Sequence, residues 1–224
     1  MVAQLQYPAN ETARLAAIRR YDILDTPPDG TFDRITSLAA RILKTPIAII
    51  SIVDHDRIWF KSKLGVDAEE IDRAPGLCAS AILNNVPWIV EDARKDPRTL
   101  ANPLVVGEFG LQFYAGVPLT TLDGHNLGTM CVIDREPRRM SADDVAVLED
   151  LAALVIDELE LRLATRMALQ LNDDVVQTLA VGHLALESGD TATVASSLSS
   201  ALNAAKGIIA AMGERSESLR RERE

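Results

Sequence analysis

Between Pro137 and Gly182 the chain carries neither a glycine nor a proline. A stretch of that length without a breaker, rich in Ala, Leu and Glu, is satisfied by one long helix and by little else. Ser141 opens it. Asp143 and Asp144 fall in the first turn, where carboxylates favour the helix dipole. Val145, Leu148, Leu151, Val155, Leu159, Arg162 and Met167 follow roughly heptad spacing, with Leu163 flanking them. That pattern predicts a coiled-coil seam. The first strong turn is SGDT at 188–191. A second helix is predicted over about 192–221, with Val194, Leu198, Ala201, Leu202, Ala205, Ile208, Ile209 and Met212. Two helices joined by a short loop form an αα-hairpin. Its apolar stripe is too narrow for an isolated pair, so a homodimer closing a four-helix bundle is expected.

Upstream of Pro137 the period changes. Residues 10–22 suit a helix capped by Asn10, with Leu15, Ile18 and Tyr21 at helical spacing. The segment ILDTPPDGTFD breaks it. A second helix is predicted at about 31–44, with Phe32, Ile35, Leu38, Ala39 and Ile42 on one face. PIAIISIVD (46–54) and RIWFKSKLG (57–65) read as a β-hairpin around a His-Asp-Arg turn. A polar loop (66–75), a short helix (76–85) and a strand WIVEDA (88–93) follow. Then comes a loop with short helical turns. FYAGVPLTT (113–121) and LGTMCVIDRE (127–136), joined by DGHN, make a second hairpin.

The formal net charge is -10, from 33 acids against 23 bases. Such a chain repels phosphate backbones, which argues against nucleic-acid binding. The basic residues at 215–223 are interleaved with glutamates and read as a solvated helix end. The N-terminus lacks the basic and apolar regions of a signal peptide. No apolar run is long enough to span a bilayer. The expectation is a cytoplasmic protein with no membrane contact. The two cysteines, Cys78 and Cys131, make no disulfide framework and match no zinc spacing, so no metal site is expected.

The segments ETARLAAIRRYDILDTPPDGTFDRI, ISIVDHDRIWFKSKLG, CASAI, WIVEDARKDPR, NPLVVGEFGLQFYAGVPLTTLDGHNLGTMCVID and SADDVAVLEDLA occur in that order with sensible spacing. In them, residues from about 10 to 165 resemble a GAF domain of the bacterial sensor type. The resemblance implies an α+β fold. A central antiparallel sheet of five or six strands would carry helices from both ends on one face and a ligand pocket on the other. LNDDVVQTLAVGHLALESGD resembles the dimerisation and phosphotransfer hairpin of one class of sensor histidine kinases. The phosphoacceptor His of that class falls on Asn172, while Asp173 and Gln177 match the pattern's other members. The domains expected are therefore 1–165, a sensory unit including the start of the connecting helix, and 166–224, a kinase-like helical hairpin.

An amide offers no imidazole nucleophile, so Asn172 excludes autophosphorylation. No Gly-rich nucleotide loop lies upstream, and an ATP-binding domain is not expected. Asp173 and Gln177, at i and i+4, share a helix face. In the kinase class such a pair resembles the site that positions water against the phospho-aspartate of a receiver partner. His183 lies three turns beyond Asn172, with no acid adjacent in sequence. His55 and His125 fall in hairpin turns and read as surface residues. No Cys-His dipeptide signals bilin attachment, and the sequence implies no cofactor. Candidates to line a ligand site are Trp59, Cys78, Asp92, Tyr114 and Cys131. Alternation places half of Trp59, Phe60, Phe113 and Tyr114 in the core and half toward pocket or solvent.

The leading expectation is a signal-transduction regulator without kinase activity, its partners a second copy, a receiver or kinase, and a small ligand. GAF pockets are reused for cyclic nucleotides, haem, tetrapyrroles and small metabolites, and the fold does not choose among them. The rivals are a receiver phosphatase using Asp173 and Gln177, a cysteine-dependent sulfoxide reductase, and a scaffold with a collapsed pocket. The reductase requires the two thiols to come within disulfide range or to face one pocket.

Overall fold

A computed structural model describes residues 7–221, with side chains described through residue 207. The side chains of Ile208, Ile209 and Met212 and the charged end at 215–223 therefore lie outside the described residues. The chain divides into two compact units, Met1–Leu159 and Glu160–Glu224.

The first unit is built on β1 (Ile47–Val53), in which all seven residues are buried. A strand apolar on both faces must lie between two covering layers. It pairs antiparallel with β2 (Arg57–Leu64) on one side and with β6 (Asn126–Asp134) on the other. β6 pairs with β5 (Phe113–Thr120), and β5 with β4 (Trp88–Val90). The outer edge beyond β2 is β3 (Glu70–Asp72). The sheet has six strands in the order β3-β2-β1-β6-β5-β4. The loop expected at 66–75 thus contains a strand. Its three residues carry one apolar side chain, too few to show a period.

Gly128 permits the tight centre of this sheet. A Cβ there would sit 1.8 Å from the Ser51 carbonyl oxygen of the neighbouring strand. Only a residue without a side chain tolerates that approach.

Two helices contact one face of the sheet. α1 (Glu11–Tyr21) contacts β6, and α2 (Gly30–Leu43) contacts β1 and β2. Asp29 caps α2 by accepting from the Thr31 amide at 2.9 Å. Asn10 makes no side-chain cap to α1. Its amide nitrogen instead lies 3.3 Å from His125 Nδ1. The buried stripe of α2 also differs from expectation. Thr36 and Ala40 are buried, while Ile42 is 49% exposed. The Thr36 hydroxyl donates to Ser62 Oγ at 2.8 Å, so a polar pair fixes the face against β2.

On the other face, Ile47, Ile49, Val53, Ile58, Phe60 and Ile133 join Leu77, Ala81 and Ile82 in one apolar cluster. These last three belong to, or directly follow, α3 (Leu77–Ala81). α4 (Pro103–Val106) adds Val105. α3 and β4 are shorter than their predicted spans at 76–85 and 88–93.

α5 runs unbroken from Ala142 to Ser188, 47 residues. Ser141 and Asp144 cap it reciprocally. The Ser141 hydroxyl accepts from the Asp144 amide at 3.1 Å, and Asp144 Oδ2 accepts from the Ser141 amide at 3.0 Å. Leu148, Leu151, Ala152, Val155 and Leu159 are buried within the first unit. Each large one contributes about 1.5–3 kcal/mol of burial. In the second unit Leu163 is buried, and Met167 is 40% exposed.

The second unit pairs the far half of α5 with α6 (Thr191–Arg221). Asp190 caps α6 by accepting from the Thr193 amide at 3.1 Å. Ala185, Ser197 and Ala201 are buried. A Cβ on Gly182 would lie 3.1 Å from that of Ser197, so glycine sets the close approach of the two helices.

Candidate functional site

Three of the five residues expected to line a ligand site meet in one place. Cys78 projects from α3, Cys131 from the centre of β6, and Tyr114 from β5. The two sulfurs are 3.9 Å apart, and the Tyr114 hydroxyl donates to Cys78 Sγ at 3.4 Å. All three residues are buried. Tyr114 lies across Gly116, where a Cβ would fall 2.3 Å from its hydroxyl oxygen. Trp88 packs edge-on against the Tyr114 ring, with centroids 5.4 Å apart.

Two hydroxyls that sequence reasoning missed complete the cluster. Ser51 Oγ and Thr129 Oγ1 are 2.9 Å apart, fully buried between paired strands. Their signal was small polar residues in otherwise apolar strands, at positions facing the same way as Cys131. Side-chain amides hold the five-residue α3 in place. Asn102 donates to the Pro75 carbonyl at 2.8 Å, and Asn126 to the Ile82 carbonyl at 3.0 Å.

The environment separates the two thiols. The hydrogen bond from Cys131, with those from Ser51, Thr129 and Tyr114, draws the Cys78 thiol down to about 6 against the opposing effect of burial. The same contact and burial push the Cys131 thiol well up. Burial, and then the neighbouring sulfur charge, holds the Tyr114 hydroxyl protonated as a donor. The two thiols are thereby made unequal, with Cys78 the more acidic of the pair.

The other two candidates lie apart from this cluster. Trp59 shares a face of β2 with Lys61, whose ammonium also lies over the Phe32 ring of α2. Asp92 pairs with Lys95 at 2.8 Å, and hydrogen bonds from Lys95 hold its carboxyl below the usual range. Trp59, Phe60, Phe113 and Tyr114 are all buried, where alternation had placed half toward pocket or solvent. Both sheet faces are covered, so alternation separates two cores.

On the hairpin, Asn172, Asp173 and Gln177 are exposed. Gln177 lines a groove with Asp174, Thr178, Val181, Ser196, Ser197 and Ser200. His183 has an acid after all. Glu187, one turn on, approaches its Nε2 at 3.6 Å, with both side chains exposed. His55 is exposed, and His125 is half-buried beside Asp123. Among the described residues no three His, Cys, Asp or Glu side chains gather to hold a metal ion. Nor is any described helix long and apolar enough to cross a membrane.

A buried ionic triad stands at the other end of the sheet. Arg14 is 1% exposed, with Nε 2.7 Å from Glu11 Oε2 and Nη1 donating to the Val53 carbonyl at 2.6 Å. Arg73, equally buried, donates to Glu11 Oε1 and to the Asp54 carbonyl. Its guanidinium also stacks over the Tyr7 ring. Burial alone would raise the Glu11 carboxyl, but hydrogen bonds from the two guanidiniums hold it at about 2.

A six-stranded antiparallel sheet with terminal helices on one face, and short helices over a side-chain cluster on the other, is the architecture of a GAF-type sensory domain. A sequence model of the GAF domain matches residues 27–159, more than half of the chain. This chain belongs to the GAF domain family. It is similar to the cyclic di-GMP phosphodiesterase PA2567 of Pseudomonas aeruginosa, 46% identical over 151 residues. The match covers 67% of this chain and 26% of that protein, so it spans about a quarter of the relative's length. The GAF domain of an Acinetobacter phosphoenolpyruvate-protein phosphotransferase superposes with a TM-score of 0.50 at 20% identity. That match covers 71% of this chain and 96% of the other, and it shows the shared fold.

Proposed function

We propose that this chain is a dimeric signalling regulator, in which a GAF sensory unit acts on a kinase-derived helical hairpin that has lost its phosphoacceptor. One observation carries the reading. α5 begins among the buried residues of the GAF unit and continues without a break into a hairpin studded with exposed apolar side chains. Leu169, Val176, Leu179, Leu184, Leu186, Leu198 and Leu202 are each 45% exposed or more. A soluble pair of helices leaves such surface open only when another surface covers it. A second copy of the hairpin offers the matching stripe. The relationship to part of a longer cyclic di-GMP phosphodiesterase supports a regulatory role for the GAF unit, since in that protein the matching region is one segment of a larger chain.

A ligand or modification in the GAF unit can shift the hairpin only by favouring one of two states. The dimer is tested by mass in solution. The full chain at micromolar concentration is expected at about twice its 24.3 kDa. Leu184→Glu together with Leu179→Glu is expected to return it to one copy. A wild-type monomer sinks the reading.

A second reading is a phosphatase acting on a phosphorylated receiver. It is favoured by the exposure of Asp173 and Gln177 one turn apart, with Gln177 at the rim of the α5–α6 groove. A carboxylate and an amide so spaced can orient a water for in-line attack. The phosphate half-life of an added phosphorylated receiver should shorten, and Gln177→Ala should restore it. No change in half-life with wild type removes this reading.

A further inference from the structure

We infer that Cys78 and Cys131 are a redox pair, closing to an intramolecular disulfide when a small peroxide reaches the sheet face beneath α3. The inference deepens the sensory reading above by naming the chemistry to which the GAF unit responds. The sulfurs already touch at 3.9 Å. A disulfide requires about 2.05 Å, so the gap must close by roughly 2 Å. Cys131 is fixed in the ladder at the middle of β6, opposite Ile49 and Gly116. The movement therefore falls on Cys78 and on a helix of only five residues.

The surroundings favour reaction over inert packing. The Tyr114 hydroxyl donates to Cys78 Sγ, and the buried Ser51–Thr129 hydroxyl pair lies on the same sheet face as Cys131. Buried hydroxyls are costly unless they satisfy something. The Tyr114 hydrogen bond favours the thiolate, which is the nucleophilic form of cysteine. Cys78 is 6% exposed and Cys131 fully buried, so a small oxidant such as a peroxide is the fitting class.

The chemistry balances. The Cys78 thiolate attacks one oxygen of the peroxide, and the O–O bond breaks with its electron pair on the departing oxygen. That oxygen takes up the proton Cys78 had released and leaves as water, so Cys78 becomes a sulfenic acid. The Cys131 sulfur then attacks Cys78 Sγ. The S–O bond breaks, and the hydroxide leaves with the Cys131 proton as a second water. Each sulfur loses one electron and each peroxide oxygen gains one.

The test uses the full chain, reduced, desalted and treated with equimolar hydrogen peroxide. The thiol titre in denaturant is expected to fall from two per chain to none. The mass should fall by two hydrogens, and a cross-linked peptide should join positions 78 and 131. Dithiothreitol should reverse all three. The tryptophan emission, to which Trp88 packed on Tyr114 contributes, should change and recover in step. Cys131→Ala should accumulate oxygen on Cys78 instead. Should that variant fail to fold, the wild-type peptide map decides alone. Two thiols surviving treatment, cross-links only between chains, or oxidation by free methionine sulfoxide with peroxide inert would each overturn the inference. Oligomeric mass read on the same samples is independent. A monomer that forms the bond rejects the dimer and keeps the switch, and a dimer that does not form it does the reverse.

Discussion

Glu11 shows what a single carboxylate contributes. It neutralises one of two fully buried guanidiniums and touches both. Its folded-state pKa is depressed to about 2 from an ordinary 4.5. The stabilisation is therefore complete above about pH 4.5 and is lost as pH falls toward 2. Glu11→Gln keeps the shape and removes the charge, leaving Arg14 and Arg73 buried without their shared acid. Loss of one partner of a buried pair costs about 3–5 kcal/mol, reduced here because Glu11 is itself partly exposed. The urea midpoint at pH 7 should drop markedly, and the difference from wild type should shrink below pH 4. A variant equal to wild type at pH 7 contradicts the role. Sequence reading placed Arg14 on an amphipathic helix and gave it no partner. Arg73 is 62 positions from Glu11, and nothing local announces a contact across that distance.

Among the elements, Gly182 sets the spacing of the hairpin. Gly182→Leu has no room beside Ser197 and must push α6 away, so the far half of α5 should lose helicity or detach from it. Far-UV circular dichroism should show a lower and earlier hairpin melt, by about 1–3 kcal/mol. The first unit, which Gly182 does not touch, should keep its near-UV signal. An unchanged melt would mean that the two helices do not pack there. The long helix, both hairpins and α2 were legible because each rests on a period or a breaker. β3 was not, since three residues at a sheet edge carry no alternation. Of the candidate site, Cys78, Tyr114 and Cys131 were legible as individual residues. Their meeting was not, because it depends on α3 crossing β6. Ser51 and Thr129 were hidden by their size, since a small hydroxyl in a strand reads as tolerated filler. Ile42 is half exposed in the last turn of α2, where Thr36 and Ala40 take the buried face instead.

For the molecule as a whole, the dominant fact is that one helix belongs to both units. Leu148 to Leu159 root it in the GAF core, and from Glu160 onward it is part of the hairpin. An α-helix advances about 100° of rotation per residue. Deleting a single residue near Leu161 would swing every later side chain around the axis by that angle, whereas inserting seven would bring them back to within about 20° of their starting direction. Chain length in this segment is therefore quantised. Relatives that keep the same wiring should differ there by near-whole numbers of turns, such as about 7, 11 or 18 residues, as gear teeth must match in number before two wheels can turn together.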